Sequence, residues 1–146
     1  MPCVIVESPL AKSEDLSPEV VTPVAAGDLV LGQSKRLGLL CLDAAAELKT
    51  LWTEPAKVFN FKSDCHLIVA DGRGLGLNNR GEAVLFSFDR SGVKIFGQAK
   101  LCQRTLMHPT VALGRLYVRD GEFVYCYSLE DRLSGATALA AAAAAR

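Results

Sequence analysis

Five cysteines and two histidines are the residues of this chain best suited to metal or nucleophile chemistry, and their spacing argues against most of it. Cys3, Cys41, Cys65, Cys102 and Cys126 form no CxxC pair, so a tetrahedral zinc site would need long-range assembly with only His66 and His108 to help. The expectation is instead a set of small, mostly buried apolar residues. An odd count also argues against a fully paired disulfide framework and leaves open a single bridge between neighbouring strands.

His66 follows Cys65 at one strand entrance and His108 precedes Pro109 at another. A Cys/His nucleophile would require the fold to join them, and no orienting acid stands beside either. His108 is expected to pack and hydrogen-bond at the start of an inner strand. The glycine-rich "DGRGLG", Asp71 to Gly76, lacks the strand, GxGxxG and helix of a phosphate cradle: Asn79 falls where the last glycine would be, and a strand follows. It also lacks the alternating Asp/Asn ligands of a calcium loop. Asp43, Asp89 and Asp120 end apolar segments, where carboxylates satisfy turn amides. No catalytic, cofactor-binding or metal-ligating residue is assigned.

The elements that would position these residues are short. Half of the 146 residues are hydrophobic, and 16 basic residues balance 16 acidic ones. That composition fits one compact domain or part of a larger one. Without a Lys/Arg block there is no electrostatic footprint for nucleic acid or an anionic membrane, and neither is expected as a partner. The start, "MPCVIVESPLAKSEDL", lacks a basic n-region and is not read as a secretory signal. The alanine run 138–145 is too short to cross a bilayer, which takes ~20 apolar residues; it is read as a frayed tail.

Between Val20 and Leu129 run "DLVLG", "LGLLCLD", "HLIVAD", "AVLFSFD", "VKIFG", "RLYVRD" and "FVYCYSL", each bounded by Gly, Asp, Asn or Ser. Such length and punctuation predict strands. The one weak helix candidate, Ala44 to Leu51, reads better as a turn leading into a strand. Gly27-Asp28, Asp71-Gly72, Gly114-Arg115 and Asp120-Gly121 predict tight reversals, and Asn79-Arg80-Gly81 and Arg90-Ser91-Gly92 slightly longer ones. Strands apolar at nearly every position, such as Phe123 to Tyr127, are expected to be covered on both faces. Leu40, Val69, Leu85, Val118 and Val124 are predicted core residues.

The chain also repeats. Gly27 of "PVAAGDLVLG" matches Gly114 of "PTVALGRLYV", and Cys41 of "LLCLD" matches Cys126 of "VYCYS", with Ser87 of "LFSFD" between them. The steps of 46 residues (87 − 41) and 39 residues (126 − 87) lie near the repeat of four-stranded propeller blades. "LKTLW" and "VKIFG" close successive copies, which predicts similar places for Trp52 and Phe96, with the Trp52 indole sandwiched between sheets.

On these segments, in this order, the stretch Val21 to Leu129 resembles the C-terminal blades of the pyrroloquinoline-quinone-like β-propeller repeat proteins. The resemblance implies an all-β fold of about three antiparallel four-stranded blades in an incomplete propeller (21–129), after an N-terminal extension (1–20) and before an alanine-rich tail (130–146). It is closer to bacterial envelope members that keep the repeat without evident quinone chemistry. These act as scaffolds that bind a protein or polymer partner outside the cytoplasm, and no cofactor is implied. The alternative is the C-terminal part of a quinoprotein alcohol or sugar dehydrogenase; the chain departs from those enzymes in having no adjacent cysteines and too few blades. An arc of three blades is expected to leave two end faces and a strand edge uncovered, a route to self-association.

Overall fold

The computed structural model describes residues 8–16, 21–55 and 57–129, and is all-β with three antiparallel sheets. The first sheet is the meander β1 (Val24–Ala26), β2 (Leu29–Ser34), β3 (Gly38–Asp43) and β4 (Lys49–Glu54). The second is β5 (Cys65–Ala70), β6 (Arg73–Asn78), β7 (Glu82–Phe88) and β8 (Val93–Lys100). The third holds β9 (Thr110–Ala112), β10 (Arg115–Arg119) and β11 (Val124–Ser128), in the order β11-β10-β9. Residues 44–48 form the expected turn into β4, with Glu47 and Leu48 at positive φ.

The three sheets are copies of one unit. In each, the first residue past the third strand, or its last position, donates its amide back to the turn between strands one and two: Ala44 to Asp28 (2.8 Å), Phe88 to Gly72 (2.9 Å) and Leu129 to Gly114 (2.8 Å). These bonds fall 44 residues (88 − 44) and 41 residues (129 − 88) apart. A β-bulge interrupts the pairing of third and fourth strands at matching places, between Cys41 and Leu42 and between Leu85 and Phe86. This register corrects three sequence matches, the first being that Gly27 aligns with Asp71 and Leu113 and not with Gly114. Leu85, not Ser87, occupies the Cys41 and Cys126 position, and Phe96 is the extra bulge residue that matches Leu51, not Trp52.

The second sheet packs a neighbour against each face, while its edge strand β8 alternates half-buried and exposed residues. Toward the first sheet, Leu67, Val84, Phe86 and Phe88 meet Leu29, Leu31, Leu39 and Cys41. Phe59 and Phe61, in the link between the sheets, complete this seam; Phe61 packs edge-on to Phe59 and Phe86, with ring centroids 4.9 and 6.0 Å apart. Toward the third sheet, Leu75, Leu77 and Ala83 meet Leu116 and Val118, with Leu101 and Cys102 of the second link. Each side chain fully withdrawn from water here contributes roughly 1.5–3 kcal/mol.

The glycine-rich stretch has its explanation in this packing. A Cβ on Gly74 would run into the Phe86 ring, and one on Gly76 would meet Cys65 Sγ at 2.9 Å and Val84 at 3.1 Å. Gly74 and Gly76 of "DGRGLG" therefore make room for neighbouring side chains on a strand, while Gly72, at φ 71, sits in the turn before it.

The ends of the stack differ. Asp15 and Leu16 lie over the outer face of the first sheet: Leu16 sits where a Gly32 Cβ would be, and Asp15 accepts from Thr50 Oγ1 (2.7 Å) and pairs with Arg36 (3.5 Å). Leu40 and Leu42, on that face, are buried. Among the described residues an uncovered end is therefore found only at the third sheet. There Val124, expected in the core, is 68 % exposed, and β11 alternates exposed and half-buried residues, with no sheet beyond it among the described residues. Of the other predicted core positions, Leu40 and Val118 are buried, while Val69 and Leu85 are half-buried. Cys41, Cys65 and Cys102 are buried free thiols and Cys126 an exposed one; Cys3 and the tail 130–146 lie outside the described residues.

Two turns also differ from expectation. The β9–β10 reversal is Leu113-Gly114, both at positive φ, with Arg115 already in the strand. The reversal at Asp120-Gly121 is a wider loop over 120–123, closed by Asp120 N to Phe123 O at 3.1 Å. Trp52 is half-buried against the first seam, and its indole N–H donates to the Asp89 carbonyl of the neighbouring sheet (2.7 Å). It bridges the two sheets at their rim instead of filling the space between them. Trp52→Ala should therefore cost about 2 kcal/mol, roughly half the penalty of a fully buried aromatic. Urea unfolding midpoints check this, and a loss at the full core value would place the indole deeper than described.

Candidate functional site

Each meander sends its turns to opposite ends of the stack. One end carries the reversals at 27–28, 71–72 and 113–114 with the corners 44–48 and 89–92. Here Arg90 pairs with Asp28 (2.7 Å) and with Asp43, tying the second sheet to the first. The guanidinium holds the Asp43 carboxyl below the usual range, and Asp43 in turn raises Arg90. A cavity of about 540 Å³ opens beside this pair, lined by Ala25, Ala26, Val69, Ala70, Asp71 and Phe88 among others. The carboxylates expected to cap turns do so: Asp43 accepts from Ala45 N (3.0 Å), and Asp89 from Ser91 N (2.6 Å) and Gly92 N (3.2 Å).

The opposite end carries the two links between sheets, 55–64 and 101–109, and it gathers more chemistry-bearing residues. The link 101–109 is pinned along most of its length. Leu101 N donates to Gly81 O (2.8 Å), Gln103 N to Asp120 Oδ2 (3.3 Å) and Thr105 N to Asn79 O (3.1 Å). Thr105 Oγ1 donates to Arg119 O (2.6 Å) and accepts from Met107 N (3.0 Å). Gly81, at φ 75, is required here, because a Cβ would strike the carbonyls of Cys102 and Gln103.

Asp120 organises the third sheet's side of this end. It accepts from Glu122 N and Phe123 N (both 2.9 Å) and from Tyr125 OH (2.8 Å). Backbone donors at Phe123 and Glu122 pull its carboxyl down to about 2, while the Asp120 bond pushes the Tyr125 phenol up to about 12.

The two histidines, far apart in sequence, meet at this link. Their rings are edge-on with centroids 5.3 Å apart. His66 Nε2 lies 3.0 Å from the Leu106 carbonyl, and His108 Nδ1 2.6 Å from the Pro109 carbonyl. Both geometries require those nitrogens to carry protons and donate. Asp64, one residue before Cys65, accepts from Asn79 Nδ2 (3.3 Å), and Ser63 Oγ donates to Asn79 Oδ1 (2.8 Å). Gln33 Nε2 and Asp64 Oδ1 are buried without a hydrogen-bond partner among the described residues.

The imagined Cys/His nucleophile does not form. Cys65 points into the first seam, and burial pushes its thiol pKa well up, so the thiolate is disfavoured. Cys41 is raised to about 11, also by burial. Among the described residues no group of three or more His, Cys, Asp or Glu is placed to hold a metal ion. What this end presents is apolar surface on a fixed backbone: Leu106 is 51 % and Met107 50 % exposed. Thr105, Leu106 and Met107 had no distinguishing signal in the sequence, since "QRTLM" has no strand alternation and no turn pair. Comparison with protein-family models and with curated proteins finds no match for the chain.

Burial is the largest cause of a lowered His66 pKa, with the His108 ring adding to it; the Leu106 carbonyl and Asp64 act in the opposite sense. A histidine whose folded pKa lies below its ordinary value of 6.5 binds protons more readily when unfolded. Its contribution is therefore complete above about pH 6.5 and is lost as the pH falls through that value toward the folded pKa. Unfolding midpoints should drop between about pH 7 and pH 5, and His66→Gln should flatten that drop. An unchanged slope in the variant would contradict the assignment.

Proposed function

We propose that this chain is a non-enzymatic β-propeller-type repeat module that binds a protein or polymer partner through the end of the stack bearing Leu106 and Met107. The observation that carries the reading is the pinned link. Two half-exposed apolar side chains stand on a backbone held by Asn79, Arg119, Asp120 and His66, so little conformational entropy remains to be lost on binding. Exposed apolar residues on mobile loops are common, whereas apolar anchors on rigid supports are what binding surfaces need. The resemblance to the pyrroloquinoline-quinone-like repeat proteins supports the same reading, and with it a place outside the cytoplasm, in the bacterial envelope.

The test uses the chain immobilised against an envelope extract. Leu106→Ser with Met107→Ser should lower retention of the specifically bound partner at least tenfold, about 1.4 kcal/mol, without moving the unfolding midpoint. In parallel, pyrroloquinoline quinone added with calcium should leave no bound absorbance and no dye-linked oxidation. Retention unaffected by the double substitution would contradict the assigned surface, and a bound quinone chromophore would favour a dehydrogenase fragment instead.

A further inference from the structure

The outer edge of the third sheet differs from the corresponding edges of the other two. In the first and second sheets the third strand is covered by a fourth, and that fourth strand is blunted as an edge. β4 carries Lys49 and Glu54, β8 carries Lys94 and Lys100, and each is bulged against its neighbour. Charges and bulges are the usual protection of a sheet edge against pairing with another chain. β11, "VYCYS", has no charged residue, and no described residue pairs with its outer side.

Its register fixes which groups face outward. Leu129 N donates toward β10's side, to Gly114 O, and Tyr127 and Tyr125 pair with Leu116 and Val118. Backbone direction alternates along a strand, so the N–H and C=O of Val124, Cys126 and Ser128 point away from the sheet. Their side chains lie on the outer face, opposite the half-buried tyrosines that pack on the second seam.

We propose that β11 pairs antiparallel with β11 of a second copy of this chain, about a two-fold axis at Cys126, joining two third sheets into one continuous sheet. The occupant is a second copy because the edge complements itself. Cys126 faces its own equivalent, Val124 faces Ser128, and the three outward residues of each strand complete about six hydrogen bonds with no group left over. β11 itself carries no charge to oppose the approach; Arg115 and Arg119 stand one strand back, on β10. The adjoining Phe123 and Val124 are 59 % and 68 % exposed, so pairing also shelters apolar surface. The inference concerns a different surface from the Leu106 end and goes beyond the scaffold reading, on which it rests only for the repeat.

The pairing predicts a specific distance. Directly opposed residues in a hydrogen-bonded antiparallel pair have Cα atoms about 5.5 Å apart, within the span a disulfide bridges. In a Cys3→Ser background, sedimentation across a dilution series should show a dimer that dissociates at low concentration. Diamide, which accepts the two protons and two electrons released by two thiols, should trap that dimer as a Cys126–Cys126 disulfide. Cys126→Lys should give a monomer with an unchanged fold by circular dichroism, and Cys126→Ser should still form the dimer. Leu106→Ser with Met107→Ser should leave dimerisation intact, which separates this test from that of the binding surface. A monomer throughout, a dimer that survives Cys126→Lys, or one that diamide does not trap through Cys126 would overturn the proposal.

Discussion

The second sheet is packed against a neighbour on each face through β5, β6 and β7, and the rest of the molecule depends on that. Phe86 lies over Gly74 on the side of the first sheet, while Leu75 and Leu77 turn to the third. Each neighbouring sheet buries one face against this slab and must find another cover for its second face. The first sheet uses Asp15 and Leu16; at the third, Val124 and Cys126 remain exposed among the described residues. Repeat architectures stabilise each unit through its neighbours, so the middle unit is the one with most to lose.

Much of this was legible from sequence, because strand, turn and repeat are local properties. Short apolar runs between Gly, Asp and Asn predicted the strands, and Asp43, Asp89 and Asp120 were expected to accept from turn amides, as they do. Register was less accessible. Lys49 and Lys94 take equivalent places, so "LKTLW" and "VKIFG" align with Phe96 opposite Leu51, and matching Trp52 to Phe96 followed residue type one position out of register. Coverage was less accessible still. The pattern of β3 and β11 is equally apolar, yet β3 is buried throughout and β11 is not, since burial depends on which sheets are present on either side. Phe59 and Phe61 gave no strand signal because they fill the first seam from a link.

The candidate site divides the same way. The histidines were visible as residues able to do chemistry, but their meeting is a product of the second link's path. That path is fixed by carbonyls at Asn79, Gly81 and Arg119 and by the Asp120 carboxylate, and backbone acceptors leave no mark on side-chain composition. The glycine-rich stretch shows the converse: a pattern that invites a chemical reading is accounted for by the sizes of Phe86, Val84 and Cys65.

The central claim is that stability is organised outward from the second sheet. Native-state hydrogen exchange, resolved by residue, tests it most directly. Amides of β6 and β7 should exchange only through global unfolding, with the first and third sheets opening at lower free energy and β11 among the first to exchange. Protection that is highest in the first or third sheet while β6 and β7 exchange through partial openings would contradict the account.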